Sequence, residues 1–533
     1  MLDVLIENAR IVDGTGAPWY RGAVGIADGR IRRVSREADH GLSADVEVDI
    51  EDRVLCPGFV DVHSHSGLRV FEEPTQPPKT RQCVTTEIVG QDGLSPAPIH
   101  VEDGAAEWQQ HVSGLDGSID LDWWTWGSTG EYLDALDDRE IVPNVGMLVG
   151  HGNVRYNVLG MADAEPTDAD IEEMANLVSQ SLEDGAVGFS TGLIYPPQVH
   201  AGTEEVRRLA ARLGSYGRPF FAHIRNQGRW IWESLAEFIE IGAQEDIPLH
   251  YSHLGMYGNR YNHGQADRAL THLETARDRG IDITADHHFF TKSSTMLQVV
   301  LPPWMLAFDP DERIEKLQKP EVRERIARDI EEWRIKWWEN HAIRAGWENI
   351  TITSVKTDEN KDVEGKNVRE LANERDEYPV DVVCDLLVEE ELEVSQVVTS
   401  LDPDDLETVL THERVAIASD ALLGAKPHPR TYGAYPRVLG QSVREDHLLT
   451  VEEAVRKMTS LPARVVDLER KGVVRPGMDA DLVVFEPDLV SSPATYDHPE
   501  QFPTGIPHVL VDGQFVVRDG EITDNRPGTA IRA

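Results

Sequence analysis

Cysteine is nearly absent: Cys56, Cys83 and Cys384 are the only three in 533 residues, and they lie far apart. That excludes a disulfide framework and fits a reducing interior. No run of 18 or more apolar residues occurs, so no membrane-spanning helix is expected. The opening MLDVLIENARIVDG carries neither a basic segment nor an apolar h-region. A secretory signal is therefore not expected, and the sequence points to the cytoplasm. Positive charge is scarce too. Lys and Arg total 51, of which only 11 are Lys, against 94 Asp and Glu, for a net charge of −43. The acids are spread along the chain, which argues against a disordered acidic tail, and the charge excludes nucleic acid as a partner. A folded surface so charged repels itself unless salt screens it. The expectation is a protein adapted to molar salt, as in a halophilic organism. A polycationic partner, the rival explanation, has no localised acidic patch in its favour. Glycine-rich phosphate loops are missing, and no G-x-S-x-G elbow surrounds Ser190, which argues against a serine nucleophile.

What is present is a rhythm. Residues 1–56 alternate apolar and polar positions in short runs broken by Asp-Gly turns, and the same texture returns in DADLVVFEP and PHVLVDGQFVVRDGEI. One small β-sandwich built from 1–56 and 465–533 is expected, because two or three strands alone are marginal. Between them, PGFVDVHSH, VTTEIVG, NVGMLVGHG, AVGFST, PFFAHI, IPLHYSHL, IDITADHHFF and VAIASD read as eight strands, each followed by helical or loop material. That order predicts an α/β fold, a (β/α)₈ barrel over 57–464. One intervening helix, within 167–185, has Thr167 as N-cap and Ile171, Met174, Leu177 and Val178 along one face. Residues 302–400 break the rhythm before the eighth strand; the stripe Val322, Ile326, Ile330, Trp333 and Trp337 predicts a helical insertion with a tryptophan core.

In a barrel the chemistry sits at the C-terminal ends of the strands. His63 and His65 lie on one side of an extended segment, because strand side chains alternate. Two such imidazoles can share one divalent ion with bonds of about 2.0–2.1 Å. The other strands end in Asp92, His151, Ser190 and Thr191, His223, His253, Asp286 with His287 and His288, and Asp420. Polar groups ending most of eight strands predict one mouth holding one or two divalent ions. Such an ion acidifies water and polarises a carbonyl, and a carboxylate such as Asp420 can carry the proton to a leaving amine. His100, His111, His200, His263, His272 and His412 fall outside the pattern and read as surface or core residues.

These motifs resemble the amidohydrolase superfamily, and within it the D-aminoacylase (N-acyl-D-amino-acid deacylase) branch. The similarity rests on PGFVDVHSH, CVTTEIVGQDGLSPAP, VGHGNVR, GAVGFSTGLIYPP, FFAHIRNQG, HPRTYGAYPRVLG, SLPARVV, KGVVRPGMDADLVVFEP and DNRPGTAIR, from about residue 57 onward. The resemblance implies His63 and His65 at one metal position, His223 and His253 at a second, and Asp420 as ligand and catalytic base. It implies Arg430 as clamp for a substrate carboxylate, which a guanidinium fork suits, with Tyr195, His288 and Ser294 as further substrate contacts. Zinc is the expected ion, with manganese or cobalt possible.

Three departures stand out. Asp92, a harder and less zinc-selective donor, occupies the place where the branch usually has Cys; Cys83, nine residues earlier, is not expected to replace it. Gly255 stands where the branch often has Lys, and His288, Phe289 and Phe290 stand for its Tyr-Pro-Tyr. The expected activity is hydrolysis of a linear amide, an N-acyl-D-amino acid, a small substrate bearing a carboxylate. A cyclic-amide hydrolase is the alternative, but those enzymes usually carry a carboxylated Lys on strand four, and no Lys occurs between Lys79 and Lys292. A catalytically inactive metal-binding homologue is the second alternative. All four histidines, Asp420 and Arg430 argue against it.

Overall fold

The computed structural model describes the chain except residues 38–40, 101–103, 259–261 and 424–426. All eight expected barrel strands are present: β1 (Phe59–Asp61), β2 (Val84–Val89), β3 (Asn144–Gly150), β4 (Gly188–Gly192), β5 (Phe220–His223), β6 (Leu249–Tyr251), β7 (Ile283–His287) and β8 (Val415–Ile417). Each pairs in parallel with its neighbour in sequence. Every residue of β2 and of β3 is buried, as expected where helices cover a parallel sheet outside and side chains fill it inside.

Between β1 and β8 the sheet is closed by an isolated parallel bridge, Ser64 to Ala421. Asp420 N–H donates to the His63 carbonyl at 3.0 Å and His65 N–H to that of Ala421 at 3.3 Å. Beneath this seam lies a fully buried lysine. Lys79 Nζ donates to Asp61 Oδ2 at 2.5 Å, Ser64 Oγ at 2.8 Å and Ser419 Oγ at 2.9 Å, with Glu87 Oε2 at 3.3 Å. It thus ties β1, β2 and the end of β8 together.

The helix at Asp168–Glu183 follows its sequence pattern: Thr167 and Asp170 form a capping box, and Ile171, Met174 and Val178 are buried. Strands from both termini share one hydrogen-bonded sheet of nine, joined where Val54–Pro57 pairs antiparallel with Leu482–Phe485. Successive residues of the joining strands face opposite ways. Leu55, Leu482, Val484 and Leu510 pack with Val24, Ile26 and Ile31, strands distant in the sheet order, so the sheet folds over its own core. Val54, Cys56, Val483, Phe485, Val509 and Val511 pack toward the barrel with Phe59 and Val84. Both faces of these strands are therefore buried.

The segment between β7 and β8 is larger and less helical than expected. It begins with Lys292–Met296, which pairs antiparallel with Ser395–Thr399, itself paired with Ile350–Ser354. This three-stranded sheet and the helices around it enclose a separate core containing Ile326, Ile330, Trp333 and Trp338. Trp333 of the expected stripe is core, but the helix ends at Glu332, Trp333 and Trp337 follow in left-handed backbone, and Trp337 is only half-buried, with Trp338 taking the core position.

Candidate active site

The loops leaving the C-terminal ends of the barrel strands surround a cavity lined by His65, Asp92, Tyr195, His223, His253 and Asp420, among others. His63 lies two residues beyond the end of β1, and its Nδ1 rests 3.3 Å from Asp286 Oδ2. Asp286 also meets His250 Nε2 at 2.9 Å and accepts from His253 N–H at 2.8 Å. His65 Nδ1 rests 2.9 Å from Asp116 Oδ1. A carboxylate behind one ring nitrogen turns the other outward and raises its basicity as a ligand. His253 is oriented by an amide, with Gln227 Nε2 at 3.1 Å from Nδ1.

The outward atoms converge. Asp92 Oδ1 lies 3.9 Å from His63 Nε2 and 3.6 Å from His253 Nε2. Its Oδ2 lies 3.9 Å from His65 Nε2 and 3.8 Å from His223 Nδ1. Asp420 Oδ1 is 3.7 Å from both His63 Nε2 and His65 Nε2. These gaps are too long for hydrogen bonds yet within the span of two bonds of about 2.0–2.2 Å to a shared ion. His63, His65 and Asp420 form one set whose ligand atoms lie within 4.8 Å of one another, and His63, Asp92 and His253 form another. His63 Nε2, His65 Nε2, both His223 nitrogens and Asp92 Oδ1 are buried without a hydrogen-bond partner. Such a cluster of orphaned donor atoms demands an occupant, and imidazole with carboxylate fits a divalent ion.

Electrostatics prepares the donors. Burial works to raise the Asp92 pKa, but His223 and His253 outweigh it and hold the carboxyl well below its usual range. Burial opposes charge on His63, yet Asp286, Asp420 and Asp92 push it up to about 9. Burial pushes His223 down to about 4, assisted by His253 and Arg344. Asp92 (φ 56°), His253 (φ 38°) and Asp420 (φ 48°) all sit in left-handed backbone, a conformation that Asp and His adopt more readily than most residues and that clusters at functional sites.

Arg430 is fully buried, with Nη1 2.9 Å from Asp420 Oδ2, and none of its three guanidinium nitrogens has a hydrogen-bond partner of good geometry. His288 Nε2 lies 3.7 Å from the same oxygen. Tyr195 and Ser294 line the cavity; the Tyr195 hydroxyl is 3.0 Å from Thr295 Oγ1, and Ser294 Oγ donates to the Gln396 carbonyl. Other strand-end groups turn away. His151 pairs with Glu205 at 2.8 Å, Ser190 Oγ donates to the Gly90 carbonyl, and His287 Nδ1 bonds the His288 carbonyl. Cys83 is buried in the apolar layer beside Cys56, away from the cavity. A Cβ on Gly255 would fall 2.7 Å from the Tyr257 ring and 2.8 Å from Leu401, so those side chains fill the space a longer residue would need.

A parallel eight-stranded barrel that turns four histidines and two aspartates onto one void at its C-terminal face defines a (β/α)₈ protein with a candidate metal centre. The chain belongs to the amidohydrolase family, which it matches over residues 46–517. It is 31% identical over its whole length to N-acyl-D-glutamate deacylase of Alcaligenes xylosoxydans xylosoxydans, covering 96% of that protein. The crystal structure of N-acyl-D-glutamate deacylase from Bordetella bronchiseptica, complexed with zinc and a phosphonate mimic of the tetrahedral intermediate, superposes with a TM-score of 0.83 at 31% identity, each chain fully covered. A D-aminoacylase structure, studied for one-metal activation and second-metal attenuation of its binuclear centre, gives a TM-score of 0.84 at 29% identity, again with full coverage. The protein is an amidohydrolase, an enzyme of C–N bonds other than peptide bonds.

Several residues of the site escape a reading by strand ends. Asp116 closes the helix Gly104–Asp116, and Gln227 and Tyr257 lie in loops. Glu339, His341 and Arg344 come from the insertion. Asp286 was already among the strand-end residues, and of the rest only His250 carried a signal, as a polar residue within an apolar strand.

Proposed function

We propose that the protein hydrolyses N-acyl-D-amino acids to a carboxylate and a D-amino acid, in the cytoplasm, as a zinc enzyme with one or two ions. The catalytic unit is 57–464, carrying the insertion that begins at Lys292, and 1–56 with 465–533 forms the small domain. The observation that carries the reading is the void between His63, His65, Asp92, His223, His253 and Asp420, backed by the buried guanidinium of Arg430 beside Asp420. His63 and His65, with Asp420, would hold one ion, and His223 and His253, with Asp92, would hold the other. A bound divalent ion supplies acidified water and a polarised carbonyl.

The rest is done by side chains. Asp420 Oδ1 takes the proton of the attacking water and delivers it to the leaving amine nitrogen. Arg430 fixes the other Asp420 oxygen, and its remaining donors clamp the substrate carboxylate in the bidentate manner a guanidinium allows. The Phe290 N–H donates to His288 Nδ1 at 3.3 Å, so His288 Nε2 carries the proton and acts as a donor toward the cavity. Ser294 spends its hydrogen on Gln396, which leaves its oxygen as an acceptor, and Tyr195 closes the wall. A cyclic-amide reading gains nothing here: among the described residues no lysine lines the cavity.

The test is hydrolysis of paired N-acetyl-D- and N-acetyl-L-amino acids by zinc-loaded protein, with metal content measured on the same sample. Turnover of the D-series is expected; a fully loaded protein inert toward both would end the proposal. Asp420→Asn should keep the fold and lower kcat about 10²–10⁴-fold, and near-normal turnover at saturating zinc would remove Asp420 from the mechanism.

A further inference from the structure

One wall of the cavity comes from neither the barrel nor the strand ends. The short insertion helix His341–Ala345 and the preceding Glu339 bring His341, Arg344 and Glu339 to the lining. Among the described residues Arg344 is the one arginine or lysine that lines the cavity directly, whereas Arg430 reaches it through Asp420, 2.9 Å from Oδ2. It is 2% exposed and His341 4%.

The placement is built, not incidental. Asn340 caps the helix and anchors it by donating to the Ile330 carbonyl at 2.9 Å. Gln227 N–H donates to Glu339 Oε2 at 2.7 Å, which fastens the wall to the loop following β5. Asn262 Nδ2 bonds the carbonyls of Gln227, Gly228 and Tyr257, locking that loop to the one following β6. The Arg344 stem passes between two glycines of these loops. A Cβ on Gly258 would lie 2.9 Å from Arg344 Cγ, and one on Gly228 3.2 Å from Cδ.

Its polar atoms are under-used. Arg344 Nη1 pairs with Glu339 Oε1, whereas Arg344 Nε and both nitrogens of His341 are buried without a hydrogen-bond partner, His341 Nε2 lying 3.6 Å from the same Glu339 oxygen. Burial pushes the guanidinium down to about 10, which still leaves it charged at neutral pH. A guanidinium offers donors only, and a neutral imidazole offers one donor and one acceptor. The group that best satisfies a guanidinium with an unused N–H is a carboxylate. The α-carboxylate of the substrate is already matched to Arg430.

We propose that Arg344, with His341, holds a second carboxylate of the substrate, so that the preferred N-acyl-D-amino acids are dicarboxylates. The second carboxylate sits either on the D-side chain or on the acyl group. This rests on the deacylase reading above and narrows it to a substrate class.

The experiment uses zinc-loaded protein and two matched pairs. N-acetyl-D-glutamate against N-acetyl-D-glutamine tests the side chain, and N-succinyl-D-leucine against N-butyryl-D-leucine tests the acyl group. In one pair kcat/KM should favour the carboxylate at least tenfold, mostly through KM. Arg344→Met should bring that ratio within threefold of one, and Arg344→Lys should fall between. Because Arg344→Met strands Glu339, the double variant Glu339→Gln/Arg344→Met is measured beside it, with zinc content and thermal melts on both. If the single variant loses its metal or its fold, the double variant decides. Wild-type ratios near one in both pairs, or a folded variant lacking Arg344 that keeps the ratio, would overturn the inference while leaving the deacylase reading intact. Wild-type protein inert on all four substrates would overturn both.

Discussion

At Asp92 a single carboxylate stands within 4 Å of four imidazoles. Oxygen is a harder donor than sulfur, so the ion held with His223 and His253 should be less zinc-selective than a thiolate site. Asp92→Ala should lose that ion while the His63/His65 position is less affected, and Asp92→Cys should shift competition between zinc and manganese toward zinc; metal analysis after dialysis checks both. Unchanged content and preference would make Asp92 a turn residue only. His111 shows a second residue-scale effect. Its Nε2 lies 2.8 Å from the Pro196 carbonyl, and burial, with Arg313 nearby, pushes its pKa down to about 4. Unfolded, it titrates near 6.5. Between pH 6.5 and 4 the unfolded chain therefore binds more protons, and stability falls as the pH drops through that window. His111→Gln keeps a donor without the titration, and melting at pH 4.5 and 7 should show a smaller acid loss than in wild type. His63, His65, His223, His253 and Asp420 were legible because a strand end places them. Asp116 and Arg344 were not, since helices and loops reach the site through tertiary packing that no local period records.

Among the elements, the seam between β1 and β8 carries the most chemistry in the least structure. Both strands are three residues long, and a lysine with two carboxylates sits beneath them at zero exposure. Removing one partner of a buried ionic group leaves the others uncompensated, at a cost of about 3–5 kcal/mol. Lys79→Met should lower unfolding free energy by that order in a denaturant titration and weaken metal retention at His63, His65 and Asp420. A loss below about 1 kcal/mol would mean the seam closes without it. The barrel strands were legible as apolar runs ending in polar residues. The insertion's small sheet was not: KSSTM, ITITS and SQVVT are short and hydroxyl-rich, and their pairing, Lys292 with Thr399 for example, spans about a hundred residues.

For the molecule as a whole, charge dominates. A net −43 acts across a Debye length of about 10 Å in 0.1 M salt and about 3 Å at 1 M. The melting temperature should rise steadily from 0.1 to 2 M sodium chloride; a flat series would leave the acidic surface without this explanation. Composition made that prediction legible before any fold was known. It said nothing of where the pairs lie, because ion pairing depends on which acids the fold brings to each arginine.

The shared sheet of the two termini has a temporal meaning. Val54–Pro57 has its partner, Leu482–Phe485, more than 400 residues downstream. During synthesis at ~5–20 residues per second, the first half-sheet waits on the order of a minute with one edge bare. His63 likewise meets Asp420 only after the last barrel strand has emerged. No ribosome-bound fragment lacking that strand can assemble the complete centre, so a premature stop yields an unfinished sheet edge as well as an inert protein. Such an edge is a template for pairing with another chain, and the cell must either complete it or clear it.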